Sequence, residues 1–202
     1  MRLYVVARHG ESVLNQEGRV NGDPAVPGPL TERGRENARL LGLELRGLPL
    51  DACVHTRFGR TLETARIALE GRGVPFIEDE LLDDVRVGEL EGWTVDEYRD
   101  WKRDHVRADR FPGGESLDEA ARRYATAYRN LLERPYERIL VICHEIPIRY
   151  ALNVAGGSED LDRPVHAIPN ATPFLFDEPA LARAAAEIER LASEGSETRS
   201  PR

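Results

Sequence analysis

No run of apolar residues in the 202-residue chain approaches the roughly 18 needed to span a bilayer. The first residues enter a strand-like run at once, so no apolar core of a secretion signal is expected there. Cysteine is scarce: Cys53 and Cys143 are the two in the chain, each inside a strand-like run, "DACVH" and "ILVICH". Both are expected as buried thiols in a reducing cytoplasm rather than as a disulfide. Metal-binding spacings such as HExxH or paired CxxC do not occur, so neither a metal nor another cofactor is expected. Internal repeats and long linkers are missing as well.

Positive charge is in the minority, with 28 Lys+Arg against 36 Asp+Glu and a formal net charge of -8. An acidic surface argues against broad binding to nucleic acid or to anionic membranes. It does not exclude a small anionic partner, because a few convergent arginines reverse the potential locally. Hydrophobic residues at 41% and charged residues at 32% make an ordinary globular composition. The length suits one domain, 1–193, with a sizeable core, as a monomer or homodimer. A disordered tail is expected over 194–202.

Strand-like and helical runs alternate along the chain. "LYVVA", "DACVH", "ILVICH" and "ATPFLF" read as strands, and "LTERGRENARLLGLELRG", "RTLETARIALEG" and "IRYALNVAG" as helices between them. This order predicts an α/β fold of three layers, a mostly parallel sheet flanked by helices. The middle, about 81–134, is more charged and reads as a helical insertion over the active site. Its two helices open on capping boxes, "TVDE" from Thr94 and "SLDE" from Ser116. A last amphipathic helix is expected over 179–193.

The chemistry gathers at strand ends. "LYVVA" runs directly into Arg8 and His9, with Gly10 letting the backbone turn away. His144 closes "ILVICH", and Arg60 opens the helix that follows "DACVH". Ligands of open parallel sheets bind beyond the carboxyl ends of the strands. Two histidines and two arginines brought to one such edge repel each other unless an anion sits among them. Guanidinium forks match phosphate oxygens, so a phosphoryl group is the simplest occupant. Arg57, three residues before Arg60, competes for the same role, and the spacing to "TA" favours Arg60.

"RHGES", Asn15, "RVNG", "PLTERG", "RTLETA", "GGES" and "VICHEIPIR", in this order, resemble the histidine phosphatase superfamily with its phosphoglycerate-mutase-like fold. The resemblance runs from about residue 2 to 176. It implies that His9 is the nucleophile of a phosphohistidine mechanism and that Arg8, Arg60 and His144 hold the nonbridging oxygens. It further implies that Asn15 adds an amide donor and that Asn21 and Gly22 border the pocket. The family's general acid is usually a glutamate four residues before a glycine. Counting back from Gly88 gives Asp84, with Asp83 and Glu89 as alternatives. Aspartate is the stronger acid, about 3.9 against 4.3 for glutamate, so it needs burial or negative neighbours to stay protonated. Glu145 stands after His144 where the family commonly has glycine, which puts a carboxylate at the site mouth.

One competing motif is "CHEIPIR", whose C-x5-R spacing matches the cysteine-dependent phosphatases. Pro147 removes a backbone donor that such a phosphate loop needs. Cys143 also points opposite to His144 along the strand, so the two cannot both face one site. The cofactor-dependent mutases of the family carry a longer, more basic insertion than this acidic one. A metal-independent phosphatase acting on a small phosphorylated metabolite is therefore expected. A mutase is the first alternative and a non-catalytic phosphate-binding protein the second.

Overall fold

Strand β1 (Leu3–Arg8) has Tyr4, Val5, Val6 and Ala7 buried, although neighbouring side chains point to opposite faces. A strand buried on both faces needs helices above and below it. The computed structural model describes residues 2–197 and has that arrangement. Strands β2 (Ala52–His55), β3 (Phe76–Glu78), β4 (Arg138–Cys143) and β5 (Pro173–Asp177) complete a five-stranded sheet in the order β3-β2-β4-β1-β5. The pairs β1–β4, β4–β2 and β2–β3 are parallel, and β5 runs antiparallel to β1 at one edge. The short edge strand β3 was not anticipated from the sequence. It has three residues, with Phe76 and Glu78 exposed, and too little apolar alternation to register.

Seven helices surround the sheet: α1 (Val13–Gln16), α2 (Glu32–Glu44), α3 (Gly59–Ala68), α4 (Val95–Arg103), α5 (Leu117–Glu133), α6 (Glu145–Ala155) and α7 (Glu178–Glu197), among the described residues. The period-two alternation of the strands sorts the core into two layers. Val5, Ala7, Cys53, Leu140 and Ile142 pack with Leu41 of α2 and Ala65 of α3 on one side. Tyr4, Val6, Val54, Ile139, Val141 and Cys143 pack with α5, α6 and α7 on the other. Cys53 and Cys143 are free and buried.

Local chemistry sets the helix starts. The Thr31 hydroxyl accepts from Gly34 N–H at the head of α2. Both expected capping boxes form, Thr94 with Glu97 and Ser116 with Glu119. The two helices of the charged middle stretch then diverge. The stripe Leu117, Ala121, Tyr124, Tyr128 and Leu131 sinks α5 into the helical layer against α7. Helix α4 has no buried residue and stands at the wall of a cavity beyond the strand ends. Helix α7 continues to Glu197, past the end expected at 193, and the rest of the anticipated tail lies outside the described residues. No described helix is long and apolar enough to cross a membrane.

Candidate active site

Sheet register brings the two histidines together. Arg8 pairs with Cys143 across β1 and β4, and His9 N–H donates to the Cys143 carbonyl at 3.0 Å. The next residue on each strand is a histidine, and their rings lie 5.4 Å apart, edge to face. His55 pairs with Ile142 across β2 and β4, so Thr56 follows level with Cys143, and its hydroxyl reaches the neighbouring His144. Helix α3 then returns over these ends with Arg60. Gly10 serves here through a close approach. A Cβ on Gly10 would come within 2.3 Å of the Gly34 carbonyl oxygen, so the N-terminus of α2 could not seat against β1.

Both imidazoles are almost fully buried, His9 at 2% and His144 at 0% exposure. Their tautomers follow from their partners. The Gly10 carbonyl can only accept, so His9 Nδ1 carries the proton and donates to it at 2.7 Å. That leaves the lone pair on Nε2, which receives Arg60 Nε–H at 3.0 Å. Burial, reinforced by Arg60 and Arg8, holds His9 well below the ordinary histidine range, and it is therefore neutral. His144 is likewise held down by burial first and Arg60 second.

A hydroxyl chain orients His144. Thr61 Oγ1 donates to the Phe58 carbonyl at 2.8 Å, and Thr56 Oγ1 lies 3.0 Å from Thr61 Oγ1 and 3.0 Å from His144 Nε2. Thr56 passes its proton to Thr61 and accepts from His144 Nε2–H. His144 Nδ1 therefore faces the site, where Arg60 donates to it at 3.2 Å. Replacing Thr56 with valine keeps the shape and leaves the buried Nε2–H unpartnered. The expected cost is about 1–3 kcal/mol of unfolding free energy, read as a lower urea midpoint. An unchanged midpoint would show that the hydroxyl chain does not hold His144.

Arg60 is the hub. It is 4% exposed, and burial lowers it to about 10, where it is still charged at neutral pH. Its guanidinium lies 4.2 Å from the Phe58 ring centre, and the same ring meets His144 edge-on at 4.6 Å. Asp84 Oδ2 stands 3.5 Å from both Arg60 and His144 Nδ1. Burial raises the Asp84 carboxyl, against the opposing pull of Arg60. Arg8 joins from β1, donating to Glu145 Oε2 at 2.7 Å and to the Ile168 carbonyl at 2.8 Å. His9, His144, Arg8, Arg60 and Asp84 are thus brought together.

The alternatives separate from this group. Asp83 is committed to Arg57, whose guanidinium binds it at 2.6 Å and whose backbone N–H donates to it at 3.0 Å. Arg57 is therefore a partner of Asp83 rather than a second cation of the site. Glu89 is exposed and lies outside the cavity lining. Of the three carboxylates considered for proton transfer, Asp84 alone lines the cavity.

Asn15 and the Asn21–Gly22 loop line the same cavity, of about 590 Å³. Asn15 Oδ1 accepts from Ser12 N–H at 3.2 Å in a capping box on α1. Asn21 Oδ1 accepts from Arg60, and its amide donates to Glu91 at 2.7 Å. Gly22 N–H also donates to Glu91, at 2.7 Å, so this loop grips Arg60 more than it offers free donors. A Cβ on Gly22 would lie 2.0 Å from the Val85 carbonyl oxygen, which ties the loop closely to the Asp84 segment. That segment is also held from α5. Arg123 donates to the carbonyls of Leu81 and Asp83 at 2.9 Å and of Asp84 at 3.2 Å, while Glu115 of "GGES" binds Arg123 at 2.5 Å.

Thr56, Phe58, Glu91 and Arg123 were missed in the sequence. The "T-x-F-x-R" pattern before α3 carried a faint signal for the first two. Cys143 points away from the site into the core, and burial pushes its thiol up. No group of three or more His, Cys, Asp or Glu among the described residues could hold a metal.

Comparison with known proteins gives the family and the fold. The family model of the histidine phosphatase superfamily (branch 1) matches residues 4–173. A curated relative, "Probable phosphoglycerate mutase GpmB" of Salmonella choleraesuis (strain SC-B67), is 33% identical over 156 residues, spanning 73% of this chain and 71% of its own length. The solved structure of Bacillus stearothermophilus YhfR superposes with a TM-score of 0.76 at 27% identity, covering 87% of this chain and 90% of that one. The alpha-ribazole phosphatase from Shigella flexneri shares the fold, with a TM-score of 0.76 at 24% identity over 87% of this chain and 90% of that one. The chain belongs to the histidine phosphatase superfamily, branch 1, and is an enzyme of it.

Proposed function

We propose that the chain is a phosphomonoester phosphatase that needs no metal, acts on a small phosphorylated metabolite and works through a phosphohistidine at His9. The observation that carries this reading is the buried, neutral His9 whose Nδ1–H is tied to Gly10, leaving the Nε2 lone pair among Arg8, Arg60 and His144. A phosphoryl dianion replaces the imidazoles as partner of Arg60. As the dianion enters, His144 takes a proton from solvent at Nδ1 and donates it in a hydrogen bond to a nonbridging oxygen, as the arginines do. His9 Nε2 then forms the bond to phosphorus while the ester P–O bond breaks, and protonated Asp84 gives its proton to the leaving oxygen. In the second step the Asp84 carboxylate takes a proton from water. The water oxygen bonds to phosphorus, the P–N bond breaks, and His9 returns to its neutral form.

A mutase is the second reading, favoured by the relative of Salmonella choleraesuis, named a probable phosphoglycerate mutase, at 33% identity. It differs in passing the phosphoryl group back to an organic acid instead of to water. The site is proposed to work on small molecules in the cytoplasm, in a monomer or homodimer that engages neither nucleic acid nor membrane.

The test is phosphate release from p-nitrophenyl phosphate and a panel of metabolite phosphates, in the presence of EDTA. Wild type should turn over. Cys143→Ser should retain activity within about threefold, because its side chain is in the core on the far side of the strand. Activity lost in Cys143→Ser and kept in His9→Ala would overturn the mechanism. Transfer to phosphoglycerate outpacing transfer to water would favour the mutase.

A further inference from the structure

Two carboxylates line the cavity, Asp84 and Glu145. Asp84 stands 3.5 Å from Arg60 and from His144. Glu145, the first residue of α6, accepts from Arg8 at 2.7 Å. Its other cationic neighbour, Arg149, is 3.8 Å away and already holds Asp162 at 2.7 Å, so Arg8 is the partner that matters. The placement is helical in origin. Glu145 follows His144 directly, and a carboxylate in the first turn of a helix is favoured by the helix dipole.

The pairing ties Arg8 by one nitrogen. Glu145 and the Ile168 carbonyl both take Nη1, whereas Nε is buried and has no hydrogen-bond partner. The Nε–Nη2 edge of the guanidinium is thereby kept for phosphoryl oxygens. Charge balance gives Glu145 a second effect. With a phosphoryl dianion bound and His144 protonated, Arg8, Arg60 and His144 are offset by the dianion together with the Glu145 carboxylate. A neutral Asp84 then completes a neutral site. Without the Glu145 charge one positive charge is left over in a buried place, and ionisation of Asp84 is the local way to cancel it. The groups facing Asp84 fit this balance. Burial raises its carboxyl first, Arg60 of α3 and Arg8 of β1 pull it down, and Glu145 of α6 pushes it up. His144 at the end of β4 is neutral until the dianion enters, and burial keeps Tyr98 of α4 and Tyr124 of α5 uncharged.

We propose that Glu145 is a positioning residue of the phosphoryl site, the resident counter-ion of Arg8, which weakens the hold on phosphate and reserves the Asp84 proton for the leaving oxygen. This rests on the phosphatase reading of the His9 site and deepens it. Glu145 acts through Arg8 and Asp84 rather than on the reacting atoms. A phosphate product that meets Arg8 without this carboxylate nearby feels a full positive charge, binds more tightly and leaves more slowly.

The test compares wild type, Glu145→Gln and Glu145→Asp. Glutamine still accepts from Arg8 Nη1 through its amide oxygen, so Glu145→Gln removes the charge and keeps the hydrogen bond. Glu145→Asp keeps the charge one methylene further back. Two quantities are measured: calorimetric binding of inorganic phosphate on the acid side of neutrality, and the pH profiles of alkyl and aryl phosphate hydrolysis. Glu145→Gln should bind phosphate about tenfold more tightly than wild type. Its alkaline descent on alkyl phosphates should move to lower pH, because Asp84 gives up its proton sooner, while aryl phosphates with an acidic leaving group show no such move. Glu145→Asp should lie nearer to wild type in both. A structural role alone would not tighten phosphate binding or separate the two ester classes. If either quantity stays at the wild-type value in Glu145→Gln, if phosphate binds that variant more weakly, or if Glu145→Asp departs as far, the inference is overturned and the His9 reading stands. Failure of wild type to bind phosphate or to hydrolyse any ester overturns the phosphoryl site itself, and this inference with it.

Discussion

His9→Ala is expected to lower kcat for phosphate release by on the order of ten-thousand-fold, on every substrate that wild type hydrolyses. The loss should be chemical rather than structural. His9 is held by one hydrogen bond to the Gly10 carbonyl and receives one from Arg60, and neither is part of the sheet or its helical layers. Arg8, Arg60 and His144 stay in place, so the variant should still bind inorganic phosphate. Steady-state kinetics combined with phosphate-binding calorimetry would show kcat gone and binding kept. A variant that turns over at a tenth of the wild-type rate would mean that another group attacks phosphorus.

Asp84→Asn is expected to cost about 10²–10⁴-fold in kcat on alkyl phosphates, whose leaving alkoxide needs a proton. Aryl phosphates with an acidic leaving group should lose far less, and this contrast identifies a general acid. The pH profile adds an independent sign. Burial raises the Asp84 carboxyl, so the protonated, proton-donating form persists to higher pH than in an ordinary aspartate. As pH rises through that raised value, Asp84 ionises and alkyl phosphate hydrolysis falls. His9 must be neutral, and its lowered value keeps it so below the usual histidine range, about 6.5. Activity on alkyl esters should therefore be greatest on the acid side of neutrality, with the alkaline descent absent in Asp84→Asn. An unchanged descent in that variant, or equal losses on aryl and alkyl esters, would assign proton transfer elsewhere.

The parts of the site that could be read in the sequence share one property. Arg8, His9 and His144 directly follow buried strand segments, so placing the strands placed them. Arg60 was chosen over Arg57 by spacing alone, and the fold shows the physical reason. Arg57 and Asp83 neutralise each other at 2.6 Å outside the cavity, whereas Arg60 turns inward on α3. Asp84 was found by counting from Gly88, but what holds it was invisible. Arg123 binds the carbonyls of that segment from about 40 residues further along the chain, and no local pattern announces such a contact. Glu91 gripping the Asn21–Gly22 loop from 70 residues away is the same case. The Thr56–Thr61 hydroxyl chain escaped because threonine between a strand and a helix reads as capping or filler until the fold brings the Thr56 hydroxyl to 3.0 Å from His144 Nε2. The close approach of Gly10 to Gly34 escaped, because a lone glycine cannot reveal which backbone it must approach. Glu145 was placed at the site mouth correctly, though its partner, Arg8, lies 137 residues away and appeared only in the fold.

The central claim is that phosphorus passes through a covalent bond to His9. It is tested most directly by mixing enzyme with excess substrate, quenching in base within the first turnover, and mapping the phosphoryl group by mass spectrometry of peptides. The account predicts one phosphoryl group on the peptide holding His9, stable in base, lost in mild acid and absent from His9→Ala. A phosphoryl group on Cys143 or His144, or sustained turnover by His9→Ala, would contradict it.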